Sequence, residues 1–200
     1  MVHVSIKRVS SSEIYANPWM SLREDQILRD DGSPGIYSVV DKPTGVVVVP
    51  RDGDRLFLVE QFRYAVGARR WEFPAGTAPD RADVPPPDLA VRELAEETGL
   101  VADSLTQIGV LDVAPGFSSQ RQVVFLAEGL HTGAAAREHE EQDMDARWWT
   151  VAEVRTAVRA GQICDGQTLA ALTLLSLHDS GARPSRNGPP RPSAGNPPLA

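Results

Sequence analysis

The chain has 200 residues, a net charge of −7, a sequence pI near 5.1, 42% hydrophobic residues and 24% charged ones. That length suits one ordinary core, and the acidic balance excludes a general nucleic-acid or anionic-membrane surface, which needs basic patches. The single cysteine, Cys164, excludes an internal disulfide and a thiolate metal cage. With no signal-peptide pattern and no apolar run of about eighteen residues, a soluble cytoplasmic protein is expected.

Residues 1–42 read as a small β unit. Val4 to Val9 alternates, Met20 to Leu28 has strand character, and Ile36 to Val40 follows a turn at Asp30-Asp31-Gly32. Strands are then expected at Gly45 to Val49 and Leu56 to Phe62, joined by the hairpin signal Arg51-Asp52-Gly53-Asp54. Val46 to Val49 is continuously apolar, which predicts a strand covered on both faces. Asp88 to Thr98 predicts a helix, with Pro85, Pro86 and Pro87 where a first turn tolerates them and Gly99 at the C′ position. Leu105 to Val113 and Arg121 to Ala127 supply further strands. Thr150-Val151-Ala152-Glu153 is a capping-box sequence opening a helix that stops near Gly161, and Asp165 caps a last helix through Leu177. From Asp179 onward the chain is Pro, Gly, Arg and Ser without periodicity, which predicts disorder. The expected organisation is thus a small β unit at 1–42, a main domain at 43–178 and a tail at 179–200.

The first predicted helix carries the chemistry. At about 100° per residue, Glu93, Glu96 and Glu97 share roughly a 100° arc, and Ala90, Val91, Leu94, Ala95 and Thr98 form the neighbouring burial face. Glu93 and Glu97 are i, i+4 like charges, which destabilise a bare helix by a few tenths of a kcal/mol. Two readings follow. The acids are either a solvated face or the seat of a cation, for which oxygen donors at this density suit Mg²⁺ or Mn²⁺.

With Trp71-Glu72-Phe73-Pro74-Ala75-Gly76 ahead of it, the block Arg92 to Leu100 resembles the Nudix box: Gly, five residues, Glu, seven residues, then Arg-Glu-aliphatic-any-Glu-Glu-any-Gly-aliphatic. There is one departure. Gly76 lies two residues too far from Arg92, and the first Glu of the pattern falls at Val84. The resemblance extends further, because Glu60 to Gly67, Pro115-Gly116-Phe117-Ser118 and the acidic stretch Glu138 to Met144 look like the ADP-ribose pyrophosphatase branch of that family.

The resemblance implies an α+β fold, a Nudix α/β/α sandwich with a mixed sheet, preceded by the small N-terminal β unit. It implies metal-dependent hydrolysis of the diphosphate of ADP-ribose or a related nucleoside diphosphate sugar, and a homodimer built through the β unit. The alternatives are another nucleoside diphosphate sugar hydrolase, or a silent module that binds ADP-ribose. The Ala75 carbonyl, Glu93 and Glu97 would form the metal core with Glu96 assisting, and Arg92 would orient Glu96. Arg63 would grip the diphosphate. Glu72 either accepts a ribose or adenine hydrogen bond or pairs with Arg70. Phe117 either lines the ribose pocket or anchors its loop in the core. Trp19 and Tyr37 are candidates for stacking on adenine. The general base would be Glu141 or Glu140, with Glu141 preferred, and His139 beside them is incidental.

Overall fold

The computed structural model describes residues 6–78, 82–133 and 143–181. Three antiparallel strands come first: β1 (Ile6–Ala16), β2 (Ser21–Arg29) and β3 (Pro34–Asp41). Ile6 faces Arg29, and Ser21 faces both Ala16 and Asp41. These strands form a sheet of their own in the order β1-β2-β3. β1 is exposed along its whole length, as Val9, Ile14 and Tyr15 illustrate.

A second sheet holds seven strands: β4 (Gly45–Asp52), β5 (Arg55–Arg63), β6 (Ala68–Glu72), β7 (Ala75–Thr77), β8 (Leu100–Asp112), β9 (Arg121–Thr132) and β10 (Asp145–Thr150). It is mixed, because β4 runs parallel to β9 while its other pairings are antiparallel. One face carries α1 (Pro86–Thr98), and the other carries α2 (Val151–Arg159) and α3 (Gly166–Asp179).

The unbroken valines of β4 are explained by this cover. Val46 and Val48 join Val123 and Phe125 of β9 under Leu89, Ala90 and Leu94 of α1. Val47 and Val49 join Val124 and Leu126 on the opposite side, under Val154 and Ala157 of α2 and Ala171 and Leu175 of α3. Successive side chains of a strand point to opposite faces, so a strand between two helical layers must be apolar at every position.

The strand boundaries differ from expectation where pairing is long-range. β8 begins at Leu100, directly after the helix, because Leu100 already pairs with Thr132. β6 and β7 were not foreseen as strands: each is short, and they flank Phe73-Pro74, a break in any local strand pattern. The last helix runs to Asp179, past Leu177, and Arg51 Nη1 meets the Asp179 carboxylate at 2.6 Å. Both helix caps read from the sequence are present. Thr150 and Glu153 make the reciprocal capping box, and the Asp165 carboxylate accepts from the Thr168 N–H.

Candidate active site

β4 and β5 begin as a hairpin, paired at Arg51–Leu56 and Asp52–Arg55 across the Gly53-Asp54 turn. Away from the turn the two strands part company. β6 takes the edge of β5, from Val59–Glu72 to Arg63–Ala68, while β7 takes the edge of β4, from Gly45–Thr77 to Val47–Ala75. The Val48 N–H donates to the Pro74 carbonyl at 2.8 Å, closing the wedge. The Phe73 N–H is satisfied by the buried Thr168 hydroxyl of α3 at 3.0 Å. This wedge delivers Glu72, Ala75 and Gly76 to one place.

α1 delivers the acids from the other side. Gly99 ends the helix at φ 68°, a conformation glycine adopts without penalty, and its N–H donates to the Ala95 carbonyl. The buried face of α1 is Leu89, Ala90, Glu93, Leu94 and Glu97, so the expected place of Val91 in the core is corrected: Val91 is 55% exposed. Glu93 and Glu97 are instead 5% and 3% exposed. The helix turns its acids inward because the apolar stripe Leu89-Ala90-Leu94 and the Glu93–Glu97 stripe are adjacent. Burial of each leucine contributes about 1.5–3 kcal/mol, well above the few tenths lost to the i, i+4 repulsion.

Buried carboxylates need partners. The Ala75 N–H donates to Glu97 Oε2 at 3.2 Å, and Arg92 lies 3.1 Å from Glu93 Oε1 and 3.3 Å from Glu96 Oε2. Glu93 lies so close to Gly76 that a Cβ there would meet Glu93 Oε2 at 2.2 Å. Glycine at 76 is therefore a matter of space. Among the described residues, no group of three or more His, Cys, Asp or Glu side chains is placed to hold a metal ion. The donor chemistry of the Glu93–Glu97 pair, hard carboxylate oxygens against a backbone wall, fits Mg²⁺ or Mn²⁺.

Arg63 and Glu72 engage each other. Arg63 Nε lies 2.9 and 3.1 Å from the two Glu72 oxygens, and Nη2 also donates to Glu72. The expected alternative, Glu72 paired with Arg70, is corrected: Arg70 Nη1 donates to the Arg69 carbonyl. Burial works to lower the pKa of Arg63, but Glu72, with Glu97 and Asp165 further off, drives it above the ordinary value and fixes the cation.

The Phe117 ring is 59% exposed, which removes the core-anchor reading; its loop is held through its backbone instead. The Val40 N–H donates to the Phe117 carbonyl, the Ser119 N–H donates to the Val40 carbonyl, and the Tyr37 hydroxyl donates to the Gly116 carbonyl. Trp19 is 58% exposed in the β1–β2 connection, at the end of the three-stranded sheet from which β3 leads into β4. Glu140, Glu141 and His139 lie outside the described residues, as does the tail beyond 181. The Thr168 contact was not foreseen, since its partner, Phe73, is remote in sequence. No described helix is long and apolar enough to cross a membrane.

The sandwich buries Glu93 against Gly76 and Glu97 against the Ala75 N–H, and the comparisons with known proteins give the family. The NUDIX domain model matches residues 41–171, and the nucleoside diphosphate sugar hydrolase N-terminal domain model matches residues 6–40. The chain belongs to the Nudix family and is a Nudix hydrolase, a class that generally depends on divalent metal. Its relatives include the ADP-ribose pyrophosphatase of Mycobacterium tuberculosis, 35% identical over 180 residues that cover 89% of this chain and 86% of that protein. The ADP-ribose pyrophosphatase of Bacillus subtilis is 28% identical over 176 residues, 87% of this chain and 94% of that one. The crystal structure of an ADP compounds hydrolase superposes with a TM-score of 0.77 at 19% identity, covering 91% of this chain and 99% of the other.

Proposed function

We propose that this chain hydrolyses the diphosphate linkage of ADP-ribose, giving AMP and ribose 5-phosphate. The observation that carries the reading is the burial of Glu93 and Glu97 against Ala75 and Gly76, with the Arg63–Glu72 pair on the adjoining strands. The relatives that bear the name ADP-ribose pyrophosphatase point the same way.

In this reading Glu93, Glu97 and the Ala75 carbonyl hold Mg²⁺ or Mn²⁺, and Glu96, drawn toward Arg92, assists. The bound cation supplies charge neutralisation on the bridging and leaving oxygens. Arg63 binds the diphosphate, its orientation fixed by Glu72. Glu141, or failing it Glu140, accepts the proton of the attacking water. Phe117, exposed beside the backbone-tied loop, lines the ribose side, and Arg70 stands at its edge. The β1–β3 sheet assembles a homodimer, bringing Trp19 toward the nucleotide of the partner. The apolar side chains displayed on β1 support that assembly. An exposed free Cys164 suits a reducing compartment such as the cytoplasm.

The test is product analysis on a panel of nucleoside diphosphate compounds with Mg²⁺. AMP and ribose 5-phosphate from ADP-ribose are expected. Preferential cleavage of another nucleoside diphosphate sugar would move the substrate. Tight binding of ADP-ribose without cleavage would support the silent module. One observation favours that second reading: Val84, where the box has its first Glu, packs against the apolar cluster of Val46, Val48 and Leu89.

A further inference from the structure

β3 of the small sheet meets the hairpin loop between β8 and β9. The loop opens after Asp112, which pairs with Arg121, and the Val113 N–H closes its base by donating to the Gln120 carbonyl. Pro115, Gly116 and Phe117 at its crest are exposed. Apart from its chain neighbours, nothing lies within 4 Å of where a Gly116 Cβ would stand. Gln122, just past the loop, pairs with Gly45, whose partner on its other side is Thr77, next to Gly76. The loop therefore stands at the end of the sheet where Gly76 meets Glu93.

Packing does not hold the crest, so its direction is left to hydrogen bonds. The peptide between Gly116 and Phe117 is held at both polar atoms. Its carbonyl accepts from the Tyr37 hydroxyl at 2.8 Å, and its N–H donates to the Ala114 carbonyl at 3.0 Å. The next peptide, between Phe117 and Ser118, is held in the same way. Its carbonyl accepts from the Val40 N–H at 2.8 Å, and its N–H donates to the Ala114 carbonyl at 2.8 Å. The Val40 carbonyl in turn accepts from the Ser119 N–H and the Ser118 hydroxyl. Peptides are planar, so fixing the two planes that flank Phe117 fixes its φ and ψ and the direction in which its side chain leaves the backbone. Of the four bonds that do this, the one from Tyr37 is supplied by a side chain.

We propose that Tyr37 is a positioning residue for substrate binding: its hydroxyl holds the Gly116–Phe117 peptide and so aims the exposed Phe117 ring at the sugar side of the site. This rests on the proposed action on ADP-ribose, in which Phe117 lines the ribose side. A ring aimed before the substrate arrives loses less freedom on binding, so the hydroxyl acts on capture rather than on the chemical step. The role differs from stacking on adenine, which needs the tyrosine ring and not its hydroxyl.

The test is a double-mutant cycle of Tyr37→Phe and Phe117→Ala. It is read as kcat and KM for ADP-ribose at saturating Mg²⁺, and as the calorimetric Kd for ADP-ribose in metal-free buffer. Phe117 is 59% exposed and Tyr37 37%, so both variants are expected to fold. Tyr37→Phe is expected to raise KM and Kd about 3- to 10-fold, the loss of one hydrogen bond, with kcat within about 2-fold. In the Phe117→Ala background the same substitution is expected to change both by less than about 1.5-fold, because the ring it aims is gone. A merely structural tyrosine would cost the same in both backgrounds, and that additivity would overturn the proposal. Unchanged KM and Kd in Tyr37→Phe would overturn it too, since a ring that only stacks gives that result. If the wild type binds ADP-ribose without cleaving it, the hydrolysis reading fails, and the Kd arm of the cycle decides this one by the same criteria.

Discussion

Arg63 reaches back along β5 to grip the carboxylate of Glu72, whose own cross-strand partner is Val59. The two ends of this contact are unequal, with side-chain exposure of 43% for Arg63 and 6% for Glu72. Removing the arginine strands a buried acid, whereas removing the acid frees a cation that water can reach. Arg63→Ala is therefore expected to cost about 1–3 kcal/mol of stability. Glu72→Gln, which keeps an oxygen acceptor for Arg63, should cost less. Chemical denaturation of both variants checks the order, and equal losses would contradict it.

Glu97→Gln addresses the acids of α1. The substitution removes one buried charge of an i, i+4 pair and keeps the shape that accepts the Ala75 N–H. The variant is expected to stay folded, to lose at least about 100-fold in activity, and to lose Mn²⁺ binding followed by electron paramagnetic resonance. Full turnover at saturating Mg²⁺ would remove Glu97 from the metal site.

Gly76→Ala tests the close approach of β7 to α1. Its new methyl would overlap the Glu93 carboxylate, so Glu93 must move. Activity is expected to fall about 100-fold, because displacement of a positioned group by about 1 Å has that effect. Stability should fall far less than activity. A variant with wild-type kcat and KM would show that Glu93 need not stand where it does.

Thr168→Val keeps volume and removes the acceptor for the buried Phe73 N–H. An unsatisfied buried donor costs about 1–3 kcal/mol. The residue ties α3 to the wedge that carries Glu72, so a lowered melting temperature should be accompanied by a raised KM. An unchanged melting temperature would show that the N–H finds another partner.

Asp25 makes the β1–β3 sheet acid-sensitive. Burial acts to raise its pKa, but the Ser11 hydroxyl and the Arg23 and Arg8 guanidinium groups hold it below the ordinary 3.8. A depressed folded-state pKa stabilises fully above the unfolded value, and the contribution is lost as pH falls through the folded one. Asp25→Asn should therefore be less stable than wild type at pH 7, and the gap should close below about pH 4. Thermal melts across that range measure it, and a gap independent of pH would refute the assignment.

The sequence by itself determined whatever depends on neighbours along the chain. The span of α1, its end at Gly99, the Thr150–Glu153 capping box and the Asp165 cap are set by residues within a turn of one another, so their spacing reveals them. The double-sided burial of β4 was legible too, because a strand between two layers has no polar alternation. Tertiary structure decided the rest. Helical spacing placed Val91 on the burial face and Glu93 outside it, yet packing exposes Val91 and buries Glu93 beside the Gly76 backbone. The sequence offered Arg70 as the charge partner of Glu72, and the β5–β6 pairing brings Arg63 to it instead. β6 and β7 exist because β4 and β5 diverge, which no window around Phe73-Pro74 contains. Helices and caps are local bargains between adjacent residues, whereas strand partners and the company of a buried charge are fixed by segments far apart in sequence.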